Sequence, residues 1–216
     1  MSIELSSFSF GFKTLLFSQV DLIIPKNEIT VITGENGSGK TTLCRLISGF
    51  QKEYHGSIKL DNIEIKDLSV KEIADFLIYH KQEPQGNIVA ATPEEDLSIW
   101  QSKFIRNLNE QHKIQREEVL AELDVIELLN VPFWEQSSGQ VKRSGLAALL
   151  LNPDKFWILD EPFTGLHQEL VDKLFSILQD RMKSGFGALI ISHKTDEVKQ
   201  IADRVLRIEN EQIKEI

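Results

Sequence analysis

The segment Gly34-Glu35-Asn36-Gly37-Ser38-Gly39-Lys40-Thr41-Thr42 has the spacing G-x-x-x-x-G-K-[ST]. That spacing suits a chain that wraps a polyphosphate. Glycines let the backbone turn tightly and aim its N–H groups inward, and a following helix contributes the positive end of its dipole. Lys40 would reach the β- and γ-phosphates, and the Thr41 hydroxyl would ligate Mg²⁺. A plain glycine-rich turn is the bland alternative. It loses to the context, because a β-branched run, Ile29 to Thr33, precedes the motif and a helix from about Lys40 to Ser48 follows it.

A second constellation is Phe156-Trp157-Ile158-Leu159-Asp160-Glu161. Four apolar residues end in adjacent carboxylates. The C-terminal ends of parallel strands face the ligand crevice of an α/β sheet. Asp160 could therefore hold Mg²⁺ through water, and Glu161 could act as general base toward an attacking water. Alone, such a strand end is usually just a strand meeting solvent; beside a phosphate loop it becomes a candidate site. A third is Gln136-Ser137-Ser138-Gly139-Gln140-Val141-Lys142-Arg143, where Ser137 and Gln140 have capping-box spacing and mark a helix start. Such an end binds anions as well.

These groups need strands and helices to hold them. Ile3 to Phe10, Val20 to Ile24 and Ile29 to Thr33 read as strands, with Pro25-Lys26-Asn27-Glu28 as a turn. Ser57 to Leu60 and Ile63 to Ile65 flank Asp61-Asn62 as a hairpin. Phe76 to His80 is another short strand. From about Thr92 to Asn130 the pattern turns helical and charged. Thr92-Pro93-Glu94-Glu95 predicts an N-cap, a first-turn proline and a capping box. Gln115 to Leu129 predicts one helix with Val119, Leu120, Leu123, Ile126 and Leu129 on a shared face. Phe156 to Leu159 and Ala188 to Ile191 read as buried parallel strands, and Arg204 to Glu209 with Gln212 to Ile216 as a closing hairpin at Asn210. The expectation is an α/β fold with a helical insertion.

Bulk properties exclude several classes. The chain has 216 residues with 24 Lys plus Arg against 33 Asp plus Glu, a net charge of −9. Without a basic cluster, such a surface repels nucleic acid. No apolar run approaches the roughly 20 residues of a membrane span, so no direct membrane insertion is expected. The single cysteine, Cys44, precludes an internal disulfide and fits a reducing compartment.

With these motifs in order, nearly the whole chain resembles the nucleotide-binding subunit of an ATP-binding-cassette (ABC) transporter. The resemblance implies a P-loop cassette with a mostly parallel sheet core, an N-terminal antiparallel β subdomain and an inserted helical subdomain. The core would span about 1–82 and 152–216, the helical subdomain about 83–151. It implies ATP and Mg²⁺ as cofactors and an ATPase reaction giving ADP and phosphate. Gln82 matches the loop glutamine that senses Mg²⁺ and the attacking water. His193 matches the switch histidine at the γ-phosphate, and Thr164-Gly165-Leu166-His167 the D-loop. Ser137, Gly139 and Gln140 sit in QSSGQ, a variant of the family signature LSGGQ. An aromatic stacks on adenine in the family, and Phe10 and Phe12 are both candidates. Gln82 to Asp96 resembles the same stretch in ATPases of energy-coupling-factor importers of cobalt, nickel and vitamins. Partners implied are a transmembrane subunit and a second cassette, identical or paralogous. The place implied is cytoplasmic, peripheral on the inner face of the cell membrane.

Other readings fit less well. A GTPase would need D-x-x-G after its apolar strand, and Asp160-Glu161-Pro162-Phe163 does not supply it. Translation-type ABC proteins carry two cassettes and repair types insert long coiled coils; this chain has neither. A degenerate, nucleotide-holding regulatory subunit paired with an active paralogue is favoured by Ser138 for Gly in the signature and His167 for the usual Asp. The retained Lys40, Gln82, Asp160, Glu161 and His193 weigh against it.

Overall fold

A computed structural model describes residues 2–100, 110–192 and 198–216. The chain forms two compact units, Met1–Tyr79 with Lys155–Ile216, and His80–Asp154.

Among the described residues the first unit holds the strands β1 (Ser2–Gly11), β2 (Leu15–Pro25), β3 (Ile29–Gly34), β4 (His55–Leu60), β5 (Ile63–Glu64), β6 (Leu77–His80), β7 (Phe156–Asp160), β8 (Ala188–Ile191), β9 (Arg204–Glu209) and β10 (Gln212–Glu215), β6 ending one residue past the unit's boundary. An antiparallel sheet has the order β2-β1-β4-β5, and a second sheet the order β10-β9-β3-β8-β7-β6. In the second sheet β3 is parallel to β8 and β9, and β7 is parallel to β8. Every residue of β7 and β8 is buried, as their unbroken apolar runs require of strands covered on both faces.

Helices α1 (Lys40–Ile47), α2 (Val70–Phe76) and α6 (Gln168–Lys183) belong to this unit. One apolar cluster joins Phe8 and Phe17 of the antiparallel sheet, Leu43 and Ile47 of α1, and Ile158 and Leu189 of the parallel sheet. Burying a large side chain of this kind stabilises by about 1.5–3 kcal/mol. The hairpin at Asp61-Asn62 forms with φ of 53° and 69°, the left-handed pair that matches strand twist. The predicted strand Phe76–His80 starts one residue late, because Phe76 closes α2. That helix has no amphipathic signature, since Ile73 alone is buried, and is instead started by a closed Ser69–Glu72 capping box.

The second unit contains α3 (Pro93–Trp100), α4 (Glu110–Glu122) and α5 (Ser138–Leu150). The Thr92 hydroxyl accepts from Glu95 N–H at 3.4 Å, while the Glu95 carboxylate accepts from Ala91 N–H, one residue upstream of the expected partner. The helix predicted from Gln115 to Leu129 stops at Glu122. Asp124 takes φ 52°, and Val125 N–H bonds Leu120 C=O while Asp124 N–H bonds Ala121 C=O. This is a Schellman-type end, with an aspartate in the left-handed slot that glycine usually fills. The break exposes Ile126 and buries Val125 in its place. No helix among the described residues is long and apolar enough to cross a membrane.

His80 is buried within this second unit, its Nε2 3.5 Å from Asn87 Nδ2. Burial, reinforced by the Lys142 charge, holds its pKa down at about 4 from an ordinary 6.5. The unfolded chain therefore binds the proton first as pH falls. Stability should be intact above pH 6.5 and lost progressively toward pH 4, by up to about 3 kcal/mol. Urea midpoints measured across that window should fall in the wild type and fall less in His80→Gln. Equal acid sensitivity of the two proteins would contradict this assignment.

Candidate functional site

The phosphate loop is built by β3 handing its chain to α1. Gly39 is the N-cap of α1 with φ 103°, and a Cβ there would lie 2.8 Å from Phe17 Cζ. Gly37 has φ 82° with open space around it, so backbone conformation alone selects glycine there. Ser38 N–H bonds Glu35 C=O at 3.2 Å, closing the turn from Glu35 through Asn36. Thr42 follows Thr41 in the first turn of α1.

Lys40 is 7% exposed, and its ammonium donates to Gly34 C=O at 2.8 Å and Glu35 C=O at 2.9 Å. The loop thus holds its own lysine with carbonyl dipoles. Burial lowers the Lys40 pKa, opposed by the charges of Glu161 and Asp160. The Thr41 hydroxyl donates to Asp160 Oδ2 at 2.9 Å, joining α1 to the end of β7 across 119 residues. Asp160 is 2% exposed, and its Oδ1 is buried without a hydrogen-bond partner among the described residues. A buried, unsatisfied carboxylate oxygen beside a hydroxyl is a donor set suited to a hard divalent cation such as Mg²⁺, so the residues fit that ion.

Glu161 is buried and has φ 50°, a left-handed conformation rare for a non-glycine residue. Its N–H bonds Ile191 C=O at 2.9 Å, and its Oε2 accepts from Thr164 Oγ1 at 3.3 Å. Strain of this kind persists where surrounding bonds over-determine it, and it clusters at functional sites. The structure therefore brings together Lys40, Thr41, Asp160 and Glu161.

Two contacts escaped the sequence reading. The Tyr79 hydroxyl donates to Asp160 Oδ2 at 3.0 Å, and Thr164 reaches Glu161. A tyrosine inside an apolar strand reads as core, and nothing in its spacing signals a distant carboxylate. Thr164 falls within the D-loop match, but its bond depends on the turn that follows Glu161.

The two adenine candidates separate by exposure. Phe10 is 4% exposed and belongs to the core cluster, so it offers no face to a base. Phe12 is 70% exposed and meets Phe10 edge-on, with ring centroids 5.0 Å apart. In the second unit, Ser137 caps α5 with both halves of its capping box formed to Gln140. Gly139 lies in the first turn of α5, and a Cβ there would meet nothing within 4 Å. Gln82 is exposed in that unit. His193 lies outside the described residues.

A family model described as ABC transporter matches residues 17–164. A putative ABC transporter ATP-binding protein of Bacillus cereus is 29% identical over 206 residues, 95% of this chain and 36% of its own length. Another, of Pyrococcus furiosus, is 30% identical over 189 residues, 86% of this chain and 71% of its own. The chain thus spans little more than a third of the first curated relatives it matches. The dimeric post-hydrolysis structure of the ATP-binding cassette MJ0796 with ADP and Pi superposes with a TM-score of 0.85 at 21% identity, covering 99% of this chain and 97% of that one. At that identity the likeness is one of fold. The cbiO1 structure from Clostridium perfringens, described as part of the ABC transporter complex cbiONQ, gives 0.75 at 26% identity over 98% of this chain and 86% of its own.

Exposure predicts a division of labour between the two phenylalanines. Phe12→Ala should weaken ATP binding by about 1–3 kcal/mol, the range for base–aromatic stacking. Phe10→Ala should instead cost about 3–5 kcal/mol of folding stability and leave ATP affinity of the folded protein nearly unchanged. Calorimetric titration and urea unfolding of both variants check this, and reversed roles would refute it.

Proposed function

Because the chain belongs to the ABC transporter family, we propose that it is the ATP-binding and ATP-hydrolysing subunit of a transporter, converting ATP and water to ADP and phosphate. One observation carries the reading: Thr41 is bonded to Asp160 at 2.9 Å, beside the loop-held Lys40 and the buried Asp160 Oδ1.

The roles follow from the chemistry of each group. The loop amides from Gly34 to Thr42 bind the phosphates, and Lys40 exchanges its carbonyl partners for the β- and γ-phosphates. Thr41, Asp160 and Gln82 would hold Mg²⁺, which when bound would neutralise charge on the phosphate oxygens. Glu161 takes a proton from the attacking water. Gln82 and His193 orient that water and the γ-phosphate, and Phe12 stacks on adenine.

The site is completed by a second cassette, a copy or a paralogue, which contributes its Ser137–Gly139 helix end. Binding closes this sandwich, and hydrolysis with release reopens it. The motion drives a transmembrane subunit, with the cassette peripheral on the cytoplasmic face of the cell membrane. An importer of the energy-coupling-factor type, for a metal ion or vitamin, is supported by the Gln82–Asp96 match and the likeness to cbiO1.

A second reading, a nucleotide-holding regulatory subunit, is favoured by His167. It stands at the N-cap of α6 without a side-chain cap bond, where the family's Asp would supply one. Ser138 does not strengthen this reading, since it sits inside α5 and outside the positive-φ residues, where a Cβ costs nothing.

The site assigns separate defects to two substitutions. Glu161→Gln should keep ATP affinity, slow phosphate release by about 10²-fold or more, and trap an ATP-bound dimer. Lys40→Ala should weaken ATP binding itself. Equilibrium binding, phosphate release and light scattering on both variants test the division. Wild-type turnover in Glu161→Gln would remove Glu161 from the mechanism.

A further inference from the structure

We propose that Tyr79 is a positioning residue for Asp160, its hydroxyl holding Oδ2 so that Oδ1 is reserved for the divalent cation. The proposal rests on the reading of this site as one for ATP with a divalent cation.

An ionised carboxylate can accept about four hydrogen bonds, roughly two on each oxygen. Among the described residues, both donors that reach Asp160 choose the same oxygen. Thr41 Oγ1 lies 2.9 Å and the Tyr79 hydroxyl 3.0 Å from Oδ2. Oδ2 is thereby filled and Oδ1 left bare in a residue only 2% exposed. Leaving a buried acceptor unmade is costly, and more so when it is charged, so the arrangement favours whatever fills Oδ1.

Thr41 alone would not hold this state. A hydroxyl has one proton, and its lone pair is what a cation takes. With a single bond on Oδ2, the carboxylate can turn about its χ2 and exchange oxygens. The second donor, on β6, opposes that turn, because both bonds would break together. Tyr79 suits the task. Its ring is half-buried and tilted against Phe50 at 6.1 Å. A phenol is protonated at neutral pH, so its proton is available to donate. Hydrogen bonds to charged acceptors are the stronger class, so the constraint is large enough to matter.

Mn²⁺ is the probe. Its binding to the full chain with saturating ATP is followed by electron paramagnetic resonance in wild type, Tyr79→Phe and Asp160→Asn. ATP affinity in EDTA and thermal unfolding are measured alongside. Tyr79→Phe should melt cooperatively and bind ATP in EDTA like wild type, yet bind Mn²⁺ about 3–10-fold more weakly, with kcat lowered and KM for ATP held. Unchanged or tighter Mn²⁺ binding would overturn the proposal, as would an equal loss of ATP affinity in EDTA, the mark of general damage. If Asp160→Asn also binds Mn²⁺ like wild type, the site reading itself fails, a different outcome from failure of Tyr79→Phe alone. Should Tyr79→Phe not fold, Tyr54→Phe leaves Tyr79 as the sole tyrosine. Its resonance Raman phenol band should then report a strong donor that persists with Mn²⁺ and ATP bound. Loss of that donor on binding would overturn the proposal.

Discussion

The hydrogen bond from Thr41 to Asp160 ties the phosphate loop to the carboxylate strand, and the rest of the site is arranged around it. It joins residues far apart in the chain because β3 and β7 flank β8 and run parallel to it in one sheet. That sheet places the C-terminal ends of β3 and β7 on the same edge. A buried lysine and two buried carboxylates then share a small volume. Each needs partners, since low dielectric raises the cost of an unmatched charge. Lys40 is satisfied by the loop's own carbonyls and Oδ2 by two hydroxyls, while Oδ1 is left for an incoming group.

Much of this could be read in the residues. The spacing from Gly34 to Thr42 fixes a loop conformation, and Gly37 and Gly39 do adopt the positive φ it needs. The unbroken apolar runs at Phe156 and Ala188 became buried parallel strands, because only strands covered on both faces tolerate them. Other features were invisible for physical reasons. The helix at Val70 is capped rather than amphipathic, so periodicity could not reveal it. The end of α4 turned on Asp124 accepting a left-handed φ, a choice tertiary packing makes by burying Val125 instead of Ile126. Tyr79 lies in an apolar strand, and only the fold shows its hydroxyl at a carboxylate. Phe10 and Phe12 are two apart and on one strand would share a face, but β1 ends at Gly11, so Phe12 falls in the exposed turn that follows it.

The departures from the family pattern have unequal weight. Ser138 occupies helical backbone, so replacing glycine there adds a side chain without strain. His167 forgoes a helix cap and removes a carboxylate from the segment that follows Glu161. On the proposed reading the change bears on how two cassettes would meet, and leaves intact the groups that would touch phosphate within one chain. Lys40, Thr41, Asp160 and Glu161, the groups that the proposed hydrolysis would use, are assembled within the first unit.

Phosphate release at saturating ATP and Mg²⁺, counted per chain and followed over time, tests this account most directly. The account predicts many phosphates per chain, at a specific rate that rises with protein concentration, because each site needs a second cassette's helix end. Release that stops at one phosphate per chain or fewer at every concentration would contradict it and leave a protein that holds nucleotide without turning it over.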